Sequence, residues 1–131
     1  MKADKSLLAG STTLLVLSLL STGDKYGYEM IAELDARSDH TFALKEGTLY
    51  PILHSLEKEG AVKSYTREAD TGRTRKYYRI TKKGLRALEE RKKEWTAFSE
   101  AVNAVLARTS PPWPDAPLPY PRRPYAQQPA Q

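Results

Sequence analysis

Basic side chains are concentrated in one short stretch of the sequence, residues 61–83. This stretch holds eight Lys or Arg residues and two acidic ones, in a chain whose formal net charge is +5 and whose pI is about 9.4. Guanidinium and ammonium groups at this density bind phosphate, and Arg does so through paired hydrogen bonds. The stretch therefore predicts a polyanionic partner, with nucleic acid as the leading candidate. A solvated run of charge is the alternative interpretation.

Other kinds of chemistry are poorly represented in the sequence. There is no cysteine, which excludes disulfides, thiolate metal sites and a cysteine nucleophile. The two histidines, His40 and His54, do not have the spacing of a pair of zinc ligands. No Gly-rich phosphate loop and no nucleophile motif occurs. We therefore expect a protein that is not an enzyme and that uses no metal or cofactor.

A helix and a β-hairpin are predicted to position the basic stretch. Residues 46–58 carry apolar side chains at helical spacing, with Pro51 near the start and Gly60 after the end. Residues 61–67 and 75–80 are rich in branched and aromatic side chains, and residues 68–73 contain the Asp and Gly of a turn. A helix followed by a basic hairpin, or wing, is typical of a small domain that binds duplex DNA.

Three further segments, residues 1–21, 26–38 and 82–107, show the periodicity of helices. Thr81 can cap the last one, whose apolar residues follow steps of three and four in a loose heptad seam. A helix with such a stripe needs a partner helix, and a second copy of the chain is the simplest source. The predicted fold is mainly α with a small β-hairpin, a winged helix-turn-helix domain followed by a long C-terminal dimerisation helix.

The two ends of the chain lead to separate predictions. The apolar run from Leu14 to Leu20 is shorter than the roughly 20 residues of a membrane-spanning helix, and no signal cleavage site follows it. We therefore expect a cytoplasmic protein with no membrane partner. Residues 108–131 are rich in proline and are predicted to be disordered, which leaves residues 1–107 as the folded domain. The tail is either a docking ligand for an aromatic groove or a passive extension.

Side chains on the predicted helix and wing are the candidates for contact with DNA. For Tyr50 the alternative is packing on the core, and for His54 it is an ordinary surface position. Two protomers with about three to five phosphate contacts each would neutralise roughly 6 to 10 charges and would bind an inverted repeat. The candidates are Lys45, Thr48, Tyr50, His54, Arg73, Arg75 and Lys76.

From about Leu7 to Leu106 the sequence resembles the PadR family of winged-helix regulators. Each matching motif is weak alone, but their order and spacing together are specific. Lys45 departs from the small hydroxyl residue often found before the recognition helix in that family. The matching motifs are Tyr26-Gly27-Tyr28-Glu29, Gly47-Thr48-Leu49-Tyr50-Pro51, Leu56-Glu57-Lys58-Glu59-Gly60, Arg73-Thr74-Arg75-Lys76-Tyr77-Tyr78 and Thr81-Lys82-Lys83-Gly84.

The resemblance implies a homodimeric transcription regulator, usually a repressor, of the short subfamily with a single helix after the wing. It adds Tyr26 and Tyr28 to the DNA-binding candidates. It also implies a planar aromatic or drug-like effector at the dimer interface, stacked on Trp95, although plain interface packing would equally explain this tryptophan. The other effector candidates are Leu15, Leu88, Lys92 and Ser99, and the dimer candidates are Leu7, Leu8, Leu14, Leu85, Phe98, Val102 and Leu106.

A function of another class is also compatible with the sequence. The chain could be a dimeric adaptor that recruits a protein partner through the proline-rich tail and does not bind DNA specifically. Binding to DNA upstream of its own gene distinguishes the two hypotheses.

Overall fold

A computed structural model describes residues 10–107 of the chain. The described part contains four helices and three strands, and the chain divides into two units after Lys93. Residues 1–9 and the predicted tail 108–131 lie outside the described residues, and so do the dimer candidates Leu7 and Leu8. In chain order the elements are α1 (Thr12–Leu20), β1 (Lys25–Tyr26), α2 (Gly27–Arg37), α3 (Glu46–Lys58), β2 (Val62–Glu68), β3 (Thr74–Ile80) and α4 (Lys82–Leu106).

The sheet is antiparallel with the order β1-β3-β2. The hairpin of β2 and β3 was predicted, whereas β1 was not, because two residues cannot display an alternating pattern. Its Tyr26 was predicted as the first residue of a helix, but it pairs with Tyr77 of β3 and precedes α2. The backbone N–H of Tyr26 donates to Oε1 of Glu29 at 3.1 Å, which satisfies one donor near the start of α2.

Apolar residues of the three shorter helices, the sheet and the start of α4 form one core. The sequence left open which side of α1 faces this core. Leu14 and Leu15 are only partly buried there, so this helix keeps some apolar surface for another contact. The buried apolar residues are Val16, Leu17, Leu19, Leu20, Met30, Leu34, Leu44, Leu49, Leu53, Leu56, Ala61, Val62, Tyr78 and Leu88.

The end of α3, the base of the wing and the start of α4 meet at one junction. Thr81 caps α4 as predicted, since its hydroxyl oxygen accepts the N–H of Gly84 at 3.1 Å. The same hydroxyl lies 2.7 Å from the carbonyl oxygen of Gly60 and 3.0 Å from that of Ala61. These contacts fix the base of the wing relative to the two helices that flank it.

Candidate nucleic-acid interface

Polar side chains of α3 face solvent in both halves of the helix. Lys45 is the residue before the helix, and its side chain makes no capping hydrogen bond, as expected for a residue without a short hydroxyl or carboxylate side chain. Thr48 and His54 are exposed on the helix itself, while Leu49, Leu53 and Leu56 point into the core. The exposed side of α3 can therefore enter a DNA groove without disturbing the core.

Tyr50 occupies a different position from the exposed residues of α3. It is half-buried and packs against the core, with its ring and hydroxyl lying over Gly27 at the start of α2. A Cβ at position 27 would collide with this ring, so the glycine is what allows the close approach of α2 and α3. The placement agrees with the packing interpretation of Tyr50 and leaves only its exposed part for any contact with DNA.

The wing divides the predicted basic residues between its two faces. Side chains alternate along a strand, and the register pairs Thr66 with Lys76 and Arg67 with Arg75. Lys76 is thus on the same face as the buried Tyr78, and its ammonium nitrogen lies 5.7 Å from the centre of that ring. Arg75 is on the opposite face, and Arg73 lies exposed in the turn between the strands. Arg75 and Lys76 are therefore adjacent in sequence but lie on opposite faces of the wing.

A hydrogen bond connects α3 to the face of the wing that carries Lys76. The hydroxyl of Ser64 in β2 donates to Oε2 of Glu57 in α3 at 2.5 Å, and Ser64 pairs with the buried Tyr78 in the register. A bond to a carboxylate is stronger than one between neutral groups. It restricts the angle between helix and wing, which decides whether both can reach one duplex.

The outer face of the sheet, which points away from the core, carries three tyrosines and several cations. Tyr77 stacks on Tyr65 with ring centres 5.7 Å apart and meets Tyr26 edge-on at 5.4 Å. The guanidinium of Arg75 lies 4.4 Å from the centre of the Tyr26 ring and donates to its hydroxyl at 2.8 Å. That of Arg67 lies 5.6 Å from the centre of Tyr77. Each arginine is thus supported by an aromatic ring.

Asp24 is the acidic residue that contacts this outer face. Its carboxylate accepts hydrogen bonds from the hydroxyl of Tyr65 at 2.7 Å and from Nε of Arg79 at 3.2 Å. The bond to the carboxylate raises the pKa of Tyr65 above its ordinary value of 10.0. Burial raises the pKa of Tyr78 on the other face. Both phenols are therefore neutral at neutral pH, and the charge of the surface comes from Lys, Arg and Asp24.

Sequence reasoning missed the contribution of Arg67, Tyr65 and Tyr77 to this face. The signal was present as a period of two, because Lys63, Tyr65 and Arg67 alternate with other residues in β2. Arg75, Tyr77 and Arg79 do the same in β3. The register that places these two sets opposite each other, and adds Tyr26 beside them, is visible only in the fold.

The remaining DNA candidates from the first motif are placed differently from each other. Tyr26 is half-buried among the rings of the outer face, whereas Tyr28 is 67% exposed in the first turn of α2.

Among residues 10–107, no group of three or more His, Asp or Glu side chains is arranged to hold a metal ion.

The predicted effector and dimer residues fall in both units of the chain. In the unit before Glu94, Leu15 is half-buried, Leu88 is enclosed in the core at 2% exposure, and Lys92 pairs with Glu89 at 3.6 Å. A cleft of about 220 Å³ in the same unit, lined by residues that include Thr13, Ile52 and Arg91, contains none of the effector candidates.

In the unit from Glu94, apolar side chains of α4 are open to solvent. Trp95 is 50% exposed, and its ring centre lies 6.1 Å from that of Phe98. The predicted effector residue Ser99 is half-buried and donates to the carbonyl oxygen of Thr96 at 3.2 Å. The dimer candidates Leu85, before the division, and Phe98, Val102 and Leu106, after it, are all exposed.

A helix followed by a hairpin wing and a further long helix is the element order of a winged-helix domain. The sequence matches the model of the PadR-like transcriptional regulator family over residues 16–90, more than half of the chain. The chain therefore belongs to the PadR-like family of transcriptional regulators, as the resemblance predicted, and these proteins are regulators rather than enzymes.

Individual relatives agree with this assignment. A transcriptional regulator from Mycobacterium tuberculosis is 41% identical over 73 residues, which cover 56% of this chain and 64% of the relative. The structure of a regulator from Clostridium thermocellum is similar with a TM-score of 0.70 at 35% identity, covering 76% of this chain and 97% of that one. A PadR-like regulator from Bacillus cereus gives 0.68 at 34% identity, covering 78% and 97%.

Within residues 10–107, no helix has the length and apolar character needed to span a bilayer.

Proposed function

We propose that this chain is a homodimeric, DNA-binding repressor that recognises an inverted-repeat operator. Each protomer places α3 in a major groove, where Thr48 and His54 lie near base edges or phosphates. Lys45 before the helix, Arg73 at the wing turn and Lys76 on the wing contact the backbone. Tyr28, exposed at the start of α2, lies near a phosphate.

The observation that carries this proposal is the hydrogen bond that connects α3 to one face of the wing. Glu57 of α3 bonds to Ser64, and Lys76 lies on the same face of the sheet as Ser64, further toward the turn. The bond keeps α3 beside the face of the wing that carries Lys76. This combination supports joint contact with a groove and with its phosphates.

DNA binding is tested by fluorescence anisotropy with duplexes that tile the region upstream of the gene encoding the chain. We expect one duplex to bind, with an affinity that falls roughly 10³-fold to 10⁵-fold between low and moderate salt, as about 6 to 10 phosphate contacts require. Scrambling one half of its inverted repeat should remove much of the affinity. A flat salt response, or indifference to scrambling, would contradict the proposal.

Two variants separate reading of bases from contact with phosphates. Thr48→Ala should reduce the preference for the operator over the scrambled duplex, by about 1–3 kcal/mol where Thr48 contacts a base edge. Lys76→Gln should weaken binding to both duplexes equally. It should also make the slope of log affinity against log salt concentration shallower by about 1.8, since each dimer loses two phosphate contacts. Arg37→Gln removes a cation in the last turn of α2 that is not among the proposed DNA contacts, and it serves as the control.

Dimerisation is supported by the apolar residues exposed on α4. A solvent-exposed stripe that includes Phe98, Val102 and Leu106 favours a contact with a second helix. Light scattering should give a mass of twice the 14.8 kDa of one chain. Phe98→Glu should shift the protein toward the monomer, and Glu100→Gln on the same helix should not. A monomeric wild-type protein would rule out the two-fold operator.

The effector hypothesis depends on Trp95, which is half exposed and adjoins Phe98. We propose that a planar aromatic molecule stacks on this ring at the dimer interface and releases the DNA. Titration of a planar cationic dye should quench the fluorescence of Trp95 in a Trp113→Phe background, because the chain has only two tryptophans. If the dye leaves both fluorescence and DNA affinity unchanged, Trp95 serves packing alone.

Repression is tested with a reporter gene placed behind the bound upstream duplex. Supplying the protein should lower expression, and Lys76→Gln should restore it in proportion to the lost affinity. An increase in expression would instead identify an activator. The adaptor hypothesis is not favoured, because the family consists of transcriptional regulators and the tail on which it rests lies outside the described residues.

A further inference from the structure

The outer face of the sheet holds a pair of arginines whose arrangement is unfavourable in the free protein. Arg67 and Arg75 are direct cross-strand partners, on the side of the sheet opposite Lys76. Like charges directly opposite each other destabilise a sheet, because their side chains start only about 5 Å apart. Within residues 10–107, neither arginine has a carboxylate within ion-pair distance.

The surrounding rings keep both guanidinium groups in place without neutralising them. Arg75 is held by the ring and the hydroxyl of Tyr26, and Arg67 lies over Tyr77. Tyr77 contacts both Tyr26 and Tyr65, so the aromatic support is continuous beneath the pair. An arginine stacked on a ring retains free N–H groups and loses less conformational entropy when it binds an anion.

At the other end of the same face, one arginine has a carboxylate partner. Arg79 donates to Asp24, which also accepts the hydroxyl of Tyr65. Lys63, the cross-strand partner of Arg79, also makes no ion pair within the described residues, so the available positive charge of the outer face lies on Lys63, Arg67 and Arg75. Of these three, only Arg67 and Arg75 face each other across the strands. A phosphodiester group has the charge and the acceptor oxygens that this pair lacks.

We propose that Arg67 and Arg75 form a second phosphate-binding site, which holds the DNA backbone at phosphates other than those contacted by α3 and Lys76. The two faces of the wing point in opposite directions, so the wing takes backbone contacts on both sides. Tyr77 is a positioning residue that supports Arg67, and Tyr26 supports Arg75. The inference rests on the proposed function, since it assigns a further contact within the same complex.

Arg67→Gln tests the site on the duplex that the wild-type protein binds. With one residue lost from each protomer, we expect the slope of log affinity against log salt to become shallower by about 1.8. The ratio of operator to scrambled affinity should stay unchanged, because a phosphate contact carries no sequence information. Arg67→Lys should keep the slope, and Arg37→Gln is the control.

Two measurements distinguish a lost contact from a damaged fold. Removing one of two facing arginines relieves repulsion, so Arg67→Gln should leave the Tm unchanged or raise it. Phosphate-ethylation interference should identify at least one phosphate that matters to the wild type and to Lys76→Gln but not to Arg67→Gln. Tyr77→Phe should retain the affinity and Tyr77→Leu should reduce it, because the ring is what supports Arg67.

The results separate this inference from the proposed function. If the wild type binds its operator and Arg67→Gln matches it in affinity, salt response and interference pattern, the proposal of a second phosphate site is wrong. The proposed function as a DNA-binding regulator still stands in that case. If the wild type binds no upstream duplex, the proposed function fails and this site fails with it.

Discussion

Replacing Gly84 by Ala tests the junction that positions the wing. Gly84 is the third residue of α4 and is buried, and a Cβ there would collide with the backbone oxygen of Ala61 and lie 2.6 Å from Cγ1 of Ile80. The Ala61 oxygen cannot retreat freely, because it accepts the N–H of Thr81 at 3.0 Å and lies 3.0 Å from the Thr81 hydroxyl. The substitution must therefore move the end of the wing or the start of α4.

Opposing effects determine how much Gly84→Ala changes the free energy of unfolding. Alanine is favoured over glycine inside a helix by about 1 kcal/mol. Overpacking against a fixed backbone costs about 1–3 kcal/mol, and each strained hydrogen bond at Ala61 adds about 1 kcal/mol. We therefore expect Gly84→Ala to lower the free energy of unfolding by about 1–4 kcal/mol, depending on whether one or both hydrogen bonds at Ala61 are strained. The displaced wing should also weaken DNA binding.

Gly47→Ala provides a matched control in the first turn of another helix. No atom lies within 4 Å of a Cβ built at Gly47, so only the helical preference operates. We expect its stability to equal or exceed that of the wild type by up to about 1 kcal/mol. Urea unfolding followed by circular dichroism, at one protein concentration because dimer dissociation contributes, gives both values. A Gly84→Ala variant as stable as Gly47→Ala would refute the reasoning.

Three further predictions follow from single side chains. Thr81→Ala removes the cap of α4 and should cost about 1–2 kcal/mol in urea unfolding, whereas Thr81→Ser should retain most of this stability. Asp39 has φ 51°, in the left-handed region, which glycine adopts more easily than other residues. Asp39→Gly should therefore raise the Tm, with a gain of up to about 1 kcal/mol in the free energy of unfolding. Burial raises the pKa of Tyr78 above 10.0, so the unfolded chain loses this proton at a lower pH than the folded one. The stability from Tyr78 should therefore be complete below about pH 10 and decline as pH rises through the folded pKa, with a smaller decline in Tyr78→Phe.

Local signals in the sequence were sufficient for the order and type of most elements. Residues 46–58 were predicted as a helix and form α3, because apolar side chains recur at helical spacing and Gly60, with φ 82°, suits its end. Pro51 was expected in about the first turn, but it is the sixth residue and lies inside the helix. The strands of the wing were predicted from their branched and aromatic side chains, its turn from Asp70 and Gly72, and the start of α4 from the cap at Thr81. These features depend on residues close together in the chain, so a sequence displays them directly.

The candidate site was only partly contained in such signals. Composition was enough to identify the wing as strongly basic, and the order of the motifs was enough to group the chain with winged-helix regulators. Only the folded chain reveals that Arg75 and Lys76 lie on opposite faces, that Tyr50 packs over Gly27, and that a two-residue strand brings Tyr26 beside Arg75. Strand register and contacts between distant segments depend on how the core packs, and local propensity carries no record of either.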